Sequence, residues 1–115
     1  MKVQAKVSDE DLEILRKQSE YWITKLGLFD WDWRVMVLNK EGANGHAVLI
    51  PTTRKAIICV CDDREKIVTL EEIAKHECLE ILLADIGSLM KSFYSDDVVD
   101  DEIHKVINRL MVVLK

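Results

Sequence analysis

Apolar and polar positions along the chain fall into four kinds of pattern. Ser8 precedes a stretch in which Leu12, Leu15, Ser19, Trp22 and Leu26 recur at helical spacing. Three acids, Asp9, Glu10 and Asp11, sit in its first turn, where the helix dipole favours negative charge, and Gly27 closes it. In WDWRVMVL, Trp31, Trp33, Val35 and Val37 alternate with Asp32, Arg34, Met36 and Leu38, which predicts a strand whose aromatic face packs on a helix. The segment Asn39–Gly45 (NKEGANG) is polar and reads as a turn. His46–Pro51 predicts a second short strand, placed at an edge by the proline. After a turn over Thr52 to Lys55, Ala56–Cys61 (AIICVC) is apolar on both faces and predicts a central or covered strand.

A charged run, Asp62–Lys66, leads to Thr69, whose T-L-E-E spacing to Glu72 is a capping box for an apolar helix over Ile73–Ile86. Gly87 begins a polar connection to a last helix, about Asp96 to Leu114. Helix, three strands, helix, helix predicts an α+β fold, with residues 1–115 forming one domain.

Composition narrows the functional classes. In 115 residues, 49% hydrophobic and 32% charged, there is chain enough for one modest core. A net charge of −5 argues against nucleic acid or an anionic membrane as partner. No window approaches the roughly 18 apolar residues of a membrane span. The start, MKVQAKVSDEDLE, lacks the apolar core of a signal peptide, so a cytoplasmic location is expected. Cys59, Cys61 and Cys78 are an odd count without a disulfide-framework spacing, which predicts reduced thiols.

The chemistry is concentrated in IAKHECLEILLADI. His76, Glu77 and Glu80 spell H-E-x-x-E, one substitution from the H-E-x-x-H of zinc peptidases. At about 100° per residue the three share an arc of roughly 100°, with His76 and Glu80 one turn apart as two ligands of one metal must be. Most of the remaining circumference is apolar, so this helix is buried and its polar groups need partners. A bound cation is one solution; mutual hydrogen bonds at the edge of the core are the other.

A catalytic zinc site needs a third protein ligand. On the last helix, Val99, Ile103, Val106, Ile107, Leu110, Val113 and Leu114 define an inward face centred at about 110° when Val98 is zero. Glu102, at about 40°, borders that face, whereas Asp101 and His104, at about 300° and 240°, point further away. Glu102 is therefore the first choice for third ligand and His104 the second, requiring a rotated helix. The same acids, Asp96, Asp97, Asp100, Asp101 and Glu102, also read as a solvated first turn complementing the helix dipole.

Other features read as structure. Cys59 and Cys61, two apart on a strand, share a face and with Cys78 could make a thiolate site, but small buried filler is the simpler reading. His46 reads as an exposed strand-end residue, and Trp22, Trp31 and Trp33 as core. Ser88, Ser92 and Ser95 lack a nucleophile-elbow context, and the scattered glycines form no phosphate-cradling loop.

Several pieces together carry a family resemblance. They are a first helix ending in YWITKLGLFDW, a strand beginning WDWRV, an A-x-I strand (Ala56, Ile58), the helix AKHECLEIL and the acidic opening of the last helix, DDEIHKVINRL. In that order they resemble the small zincin-like metallopeptidase-fold proteins of phage and prophage genomes, over about residues 9 to 114. The resemblance implies that His76 is a zinc ligand and Glu77 the general base. Glu80 takes the second ligand position, where the family has histidine, and Glu102 the acidic third. A His76/Glu80/Glu102 set carries one more negative charge than a two-His, one-Glu site. That makes the metal a poorer Lewis acid and shifts preference toward harder ions such as Mn2+.

The residues leave two functions open. The first is a metal-dependent, peptidase-like hydrolase acting on a peptide or protein. The second is a zincin-fold protein without catalysis, or without metal, serving as a binding or structural module.

Overall fold

The computed structural model describes residues 7–65 and 67–115. The expectation about the first residues, and Lys66 of the charged run, fall outside them. The elements are α1 (Asp9–Leu26), β1 (Asp32–Leu38), β2 (Gly45–Ile50), β3 (Lys55–Cys61), α2 (Leu70–Lys91) and α3 (Asp96–Val113), which is the expected α+β order.

Local chemistry sets the ends of α1. Ser8 Oγ accepts from the Asp11 amide at 3.1 Å while Asp11 Oδ2 accepts from the Ser8 amide at 3.1 Å, a complete capping box. At the other end Gly27 takes the left-handed conformation, φ 70°, which a side chain would resist. Its amide donates to Thr24 O, and the Leu28 amide reaches back to Ile23 O at 2.9 Å, so the last carbonyls are satisfied as Leu28 enters the core.

β3 is central, in the order β1-β3-β2. β1 runs parallel to it, with Val35 opposite Ile58, and β2 antiparallel, with Ala47 opposite Ile58. Alternation then puts Trp33, Val35, Val37, Ala56, Ile58, Val60 and Leu49 on one face, where they join Leu15, Trp22, Ile73, Ala74, Cys78 and Ile81 from α1 and α2 in a single core. The opposite face carries Met36, Val48 and Ile50, all partly exposed. The expected edge position of β2 and central position of β3 are both observed.

Two expectations are corrected. Gly87 does not end the apolar helix: α2 continues to Lys91 because Gly87 is buried against α3, with a β-carbon position only 2.7 Å from Ile103 Cδ1. A small residue is there to let two helices approach. At the start of α2, Thr69 Oγ1 accepts from the Glu72 amide at 3.1 Å, so Thr69 caps the helix by the forward bond of the expected box.

Gly45 stands where β2 meets α2. A β-carbon there would lie 2.6 Å from Ile73 Cγ2 and 3.3 Å from both the Cys59 carbonyl oxygen and Glu77 Oε1. The first residue of β2 thus holds bare backbone against α2 at Glu77. Gly45→Ala should lower the unfolding free energy by about 1–3 kcal/mol, the usual cost of overpacking. Gly87→Ala should lower it less, because the atom it meets is the flexible end of an isoleucine and alanine regains helix propensity. Urea unfolding of the two variants beside the wild type measures both.

Candidate metal centre

α2 is apolar around most of its surface, with α1, the sheet and α3 packed on it, and its few polar side chains emerge at the seams. Lys75 is buried between α2 and the end of α3, where its ammonium donates to the carbonyls of Met111 (2.6 Å) and Leu114 and lies over Trp22. Those carbonyls are among the unpaired acceptors of the helix end, so Lys75 serves as its cap.

The next turn holds His76, Glu77 and Glu80. Glu77 is buried, its side chain 6% exposed; Oε1 lies 3.2 Å from His76 Nδ1 and Oε2 has no hydrogen-bond partner. One turn on, Glu80 Oε1 lies 3.5 Å from His104 Nε2 on α3. The His76 and His104 rings face each other at 6.2 Å between centroids. Ligand atoms of His76, Glu80 and His104 all lie within 4.8 Å of one another, so the three could hold a metal ion.

Donor chemistry agrees with that use. His104 Nδ1 lies 2.7 Å from the Asp100 carbonyl oxygen and His76 Nδ1 lies 3.2 Å from a carboxyl oxygen. With each Nδ1 donating, both Nε2 atoms keep their lone pairs, the arrangement in which histidine ligands are held by a second layer of acceptors. Around one zinc ion, ligand atoms sit roughly 3.3 Å apart, so small side-chain rotations would close the set.

The charge balance points the same way. Burial, then the neighbouring Glu77 carboxyl group, then Asp100, push the Glu80 carboxyl up to about 9. Two carboxyl groups held together on a buried helix disfavour a second negative charge, and a cation would relieve that cost.

The third ligand expected from the sequence is not at this site. Glu102 points to the other flank of α3, where its carboxylate meets Lys105 Nζ at 2.9 Å; Asp101 also turns toward Lys105, at 3.6 Å. His104, the second choice, takes the place. The physical reason is the rotation of α3, which sets Glu102 and His104 equally far from the inward face and leaves His104 on the flank beside Glu80 of α2. Val99 and Ile107 are its buried residues, with Ile103 partly covered, so the inward face centres at about 140° rather than 110°. Val106 and Val113, which pulled the expected centre toward Glu102, are largely exposed.

Beside Glu80 and His104 is a cleft of about 500 Å³, bounded also by His46, Leu49 and Pro51 at the β2 edge, Leu83 of α2 and Ile103 of α3. His46, half-buried in β2, borders this cleft rather than standing free at a strand end. A second depression, about 280 Å³, is lined by Asn44, Gly45, His76 and Glu77. The cysteines play no visible part: all three are free and buried. Burial raises each thiol, Cys78 up to about 12, as expected of packing residues.

No protein-family model, curated protein or solved structure matches this chain. Among the described residues no helix is long and apolar enough to cross a membrane.

Glu80 gives the fold a pH signature. As pH rises from the ordinary carboxyl range toward about 9, the unfolded chain loses this proton while the folded chain keeps it. In chelator, the fold should therefore lose stability across that window. Glu80→Gln, which cannot ionise, should gain on the wild type steadily between about pH 5 and pH 8. Thermal unfolding of both proteins at several pH values measures the difference, and a constant gap would show that Glu80 keeps an ordinary carboxyl.

Proposed function

We propose that this protein is a metal-dependent hydrolase of the zincin type, acting on peptide bonds, with His76, Glu80 and His104 as ligands, zinc as the first candidate ion, and Glu77 as general base. The observation that carries the proposal is the meeting of two imidazoles and a carboxyl from two helices beside a buried Glu77 that has one oxygen unpartnered. Replacing Glu102 by His104 restores a two-His, one-Glu set. The additional negative charge of a His/Glu/Glu site, which would favour Mn2+ and weaken catalysis, is then absent.

A zinc ion bound there would supply Lewis-acid polarisation of a carbonyl and make water a stronger acid. The chain's own residues do the rest. Glu77 Oε1 is anchored by His76, which leaves Oε2 without a partner and able to accept a proton from the attacking water. β2 pairs only with β3, so its outer edge among the described residues is available to hydrogen-bond an extended substrate backbone. The phage or prophage setting suggested by the sequence resemblance is part of the same proposal.

One observation favours a second reading. His76 with Glu77, and Glu80 with His104, already face each other in pairs, so the groups could satisfy one another in a non-catalytic binding module.

Metal content of untagged protein, followed by zinc and manganese titration of the chelator-stripped form, separates the two. The hydrolase reading requires near one equivalent of metal. His76→Ala or His104→Ala should each weaken binding by at least about 10–100-fold, while Glu102→Ala leaves it unchanged. Glu77→Gln should retain metal but lose about 10²–10⁴ in any peptide hydrolysis. Absence of binding by either ion would establish the paired, metal-free module.

A further inference from the structure

We propose that the α2–α3 hairpin is the interface of a homodimer, formed by laying the outer surface of both helices antiparallel against the same surface of a second copy. The first observation is a seam on α2 and the turn after it. Leu82, Ile86, Leu89 and Phe93 succeed one another at steps of four, three and four residues, which makes one stripe down the helix, the spacing of helices that pair. Their exposures climb from 37% at Leu82 through 59% and 63% to 76% at Phe93, as the hairpin extends past the elements that could cover it.

Beside the seam, α2 and α3 leave a groove of about 450 Å³, lined by Met90, Tyr94, Val98 and Val106 among others. Seam and groove together leave on the order of 800 Å² of mainly apolar side chain in water, the share one partner contributes to a standard interface. The largest apolar patch of a typical monomer is smaller, about 300–600 Å².

Charge selects the occupant. On the flank of α3 that carries Val98, Glu102 and Val106, the acids Asp101 and Glu102 come first, and the bases Lys105, which also pairs with both acids in its own chain, and Arg109 come after. A second α3 running antiparallel sets acidic half on basic half at both ends of a two-fold contact, whereas a parallel one would stack acid on acid. The helix is thus complementary to itself in one orientation. Glu102 and His104 occupy opposite flanks of α3, so the contact leaves the metal-binding cleft open.

Sedimentation equilibrium of the full chain at roughly 1–100 µM tests this proposal. The expected species has twice the 13.3 kDa chain mass. Leu89→Glu and Phe93→Asp, both at exposed positions, should raise the dimer dissociation constant at least about 100-fold with unchanged helical circular dichroism, since a two-fold contact counts each change twice. Glu102→Lys should weaken the dimer, and adding Arg109→Glu to it should restore association, which an antiparallel pairing predicts and the in-chain Glu102–Lys105 pair does not. A monomer throughout the range would overturn the proposal, as would a dimer indifferent to Leu89→Glu, even if a different protein were found to dock on this surface.

Discussion

The whole arrangement depends on α2 having almost no side left for water between Ile73 and Ile81. α1 covers one flank, β2 and β3 another and α3 a third, so a carboxyl group placed on it must be accommodated by neighbours rather than by solvent. That constraint explains why Lys75 turns to the carbonyls at the end of α3, why Glu77 meets His76, and why Glu80 reaches α3 at His104. It also explains the position of Gly45, since any side chain on the first residue of β2 would press on Ile73 and on the Glu77 carboxyl. The polar groups of α2 do not interrupt its packing; they mark the lines along which its neighbours meet.

Much of this architecture was legible in the residues. Ser8 and Gly27 bracket α1 through short-range hydrogen bonds that need no tertiary context, and alternation in WDWRVMVL fixes which face of β1 turns inward. Gly87 misled for a physical reason. Glycine closes helices when it adopts a left-handed conformation, but it also lets helices touch, and only the presence of Ile103 distinguishes the two uses.

The candidate site was half legible. His76, Glu77 and Glu80 lie on one helix, and their common arc comes from helical geometry alone. The third member did not, because it depends on how α3 is turned about its own axis. Averaging Val106 and Val113 with the other inward residues of α3 weighted them as though they were core; a rotation of about 30° sets Glu102 and His104 equally far from the inward face, and the flank beside Glu80 of α2 is the one that carries His104. A signal was present: Asp100, Ile103, His104 and Ile107 lie at steps of three, one and three residues, which keeps a histidine beside two inward isoleucines. Exposed valines near a helix end were the wrong guide, because this part of the hairpin has few neighbours in its own chain.

The parallel pairing of β1 with β3 has a consequence for how the chain is made. β2 and β3 are joined by a turn of a few residues, from Pro51 to Arg54, so they can close into a hairpin as soon as both are synthesised. β1, made earlier, has its strand partner among the described residues in β3, which follows β2 in the chain. At about 5–20 residues per second, the ribosome leaves α1 and β1 waiting on the order of seconds, with Trp33, Val35 and Val37 lacking the rest of their sheet. Of the elements already made by then, α1 is the one that packs on this strand in the finished fold, and its caps at both ends are formed by residues of its own segment.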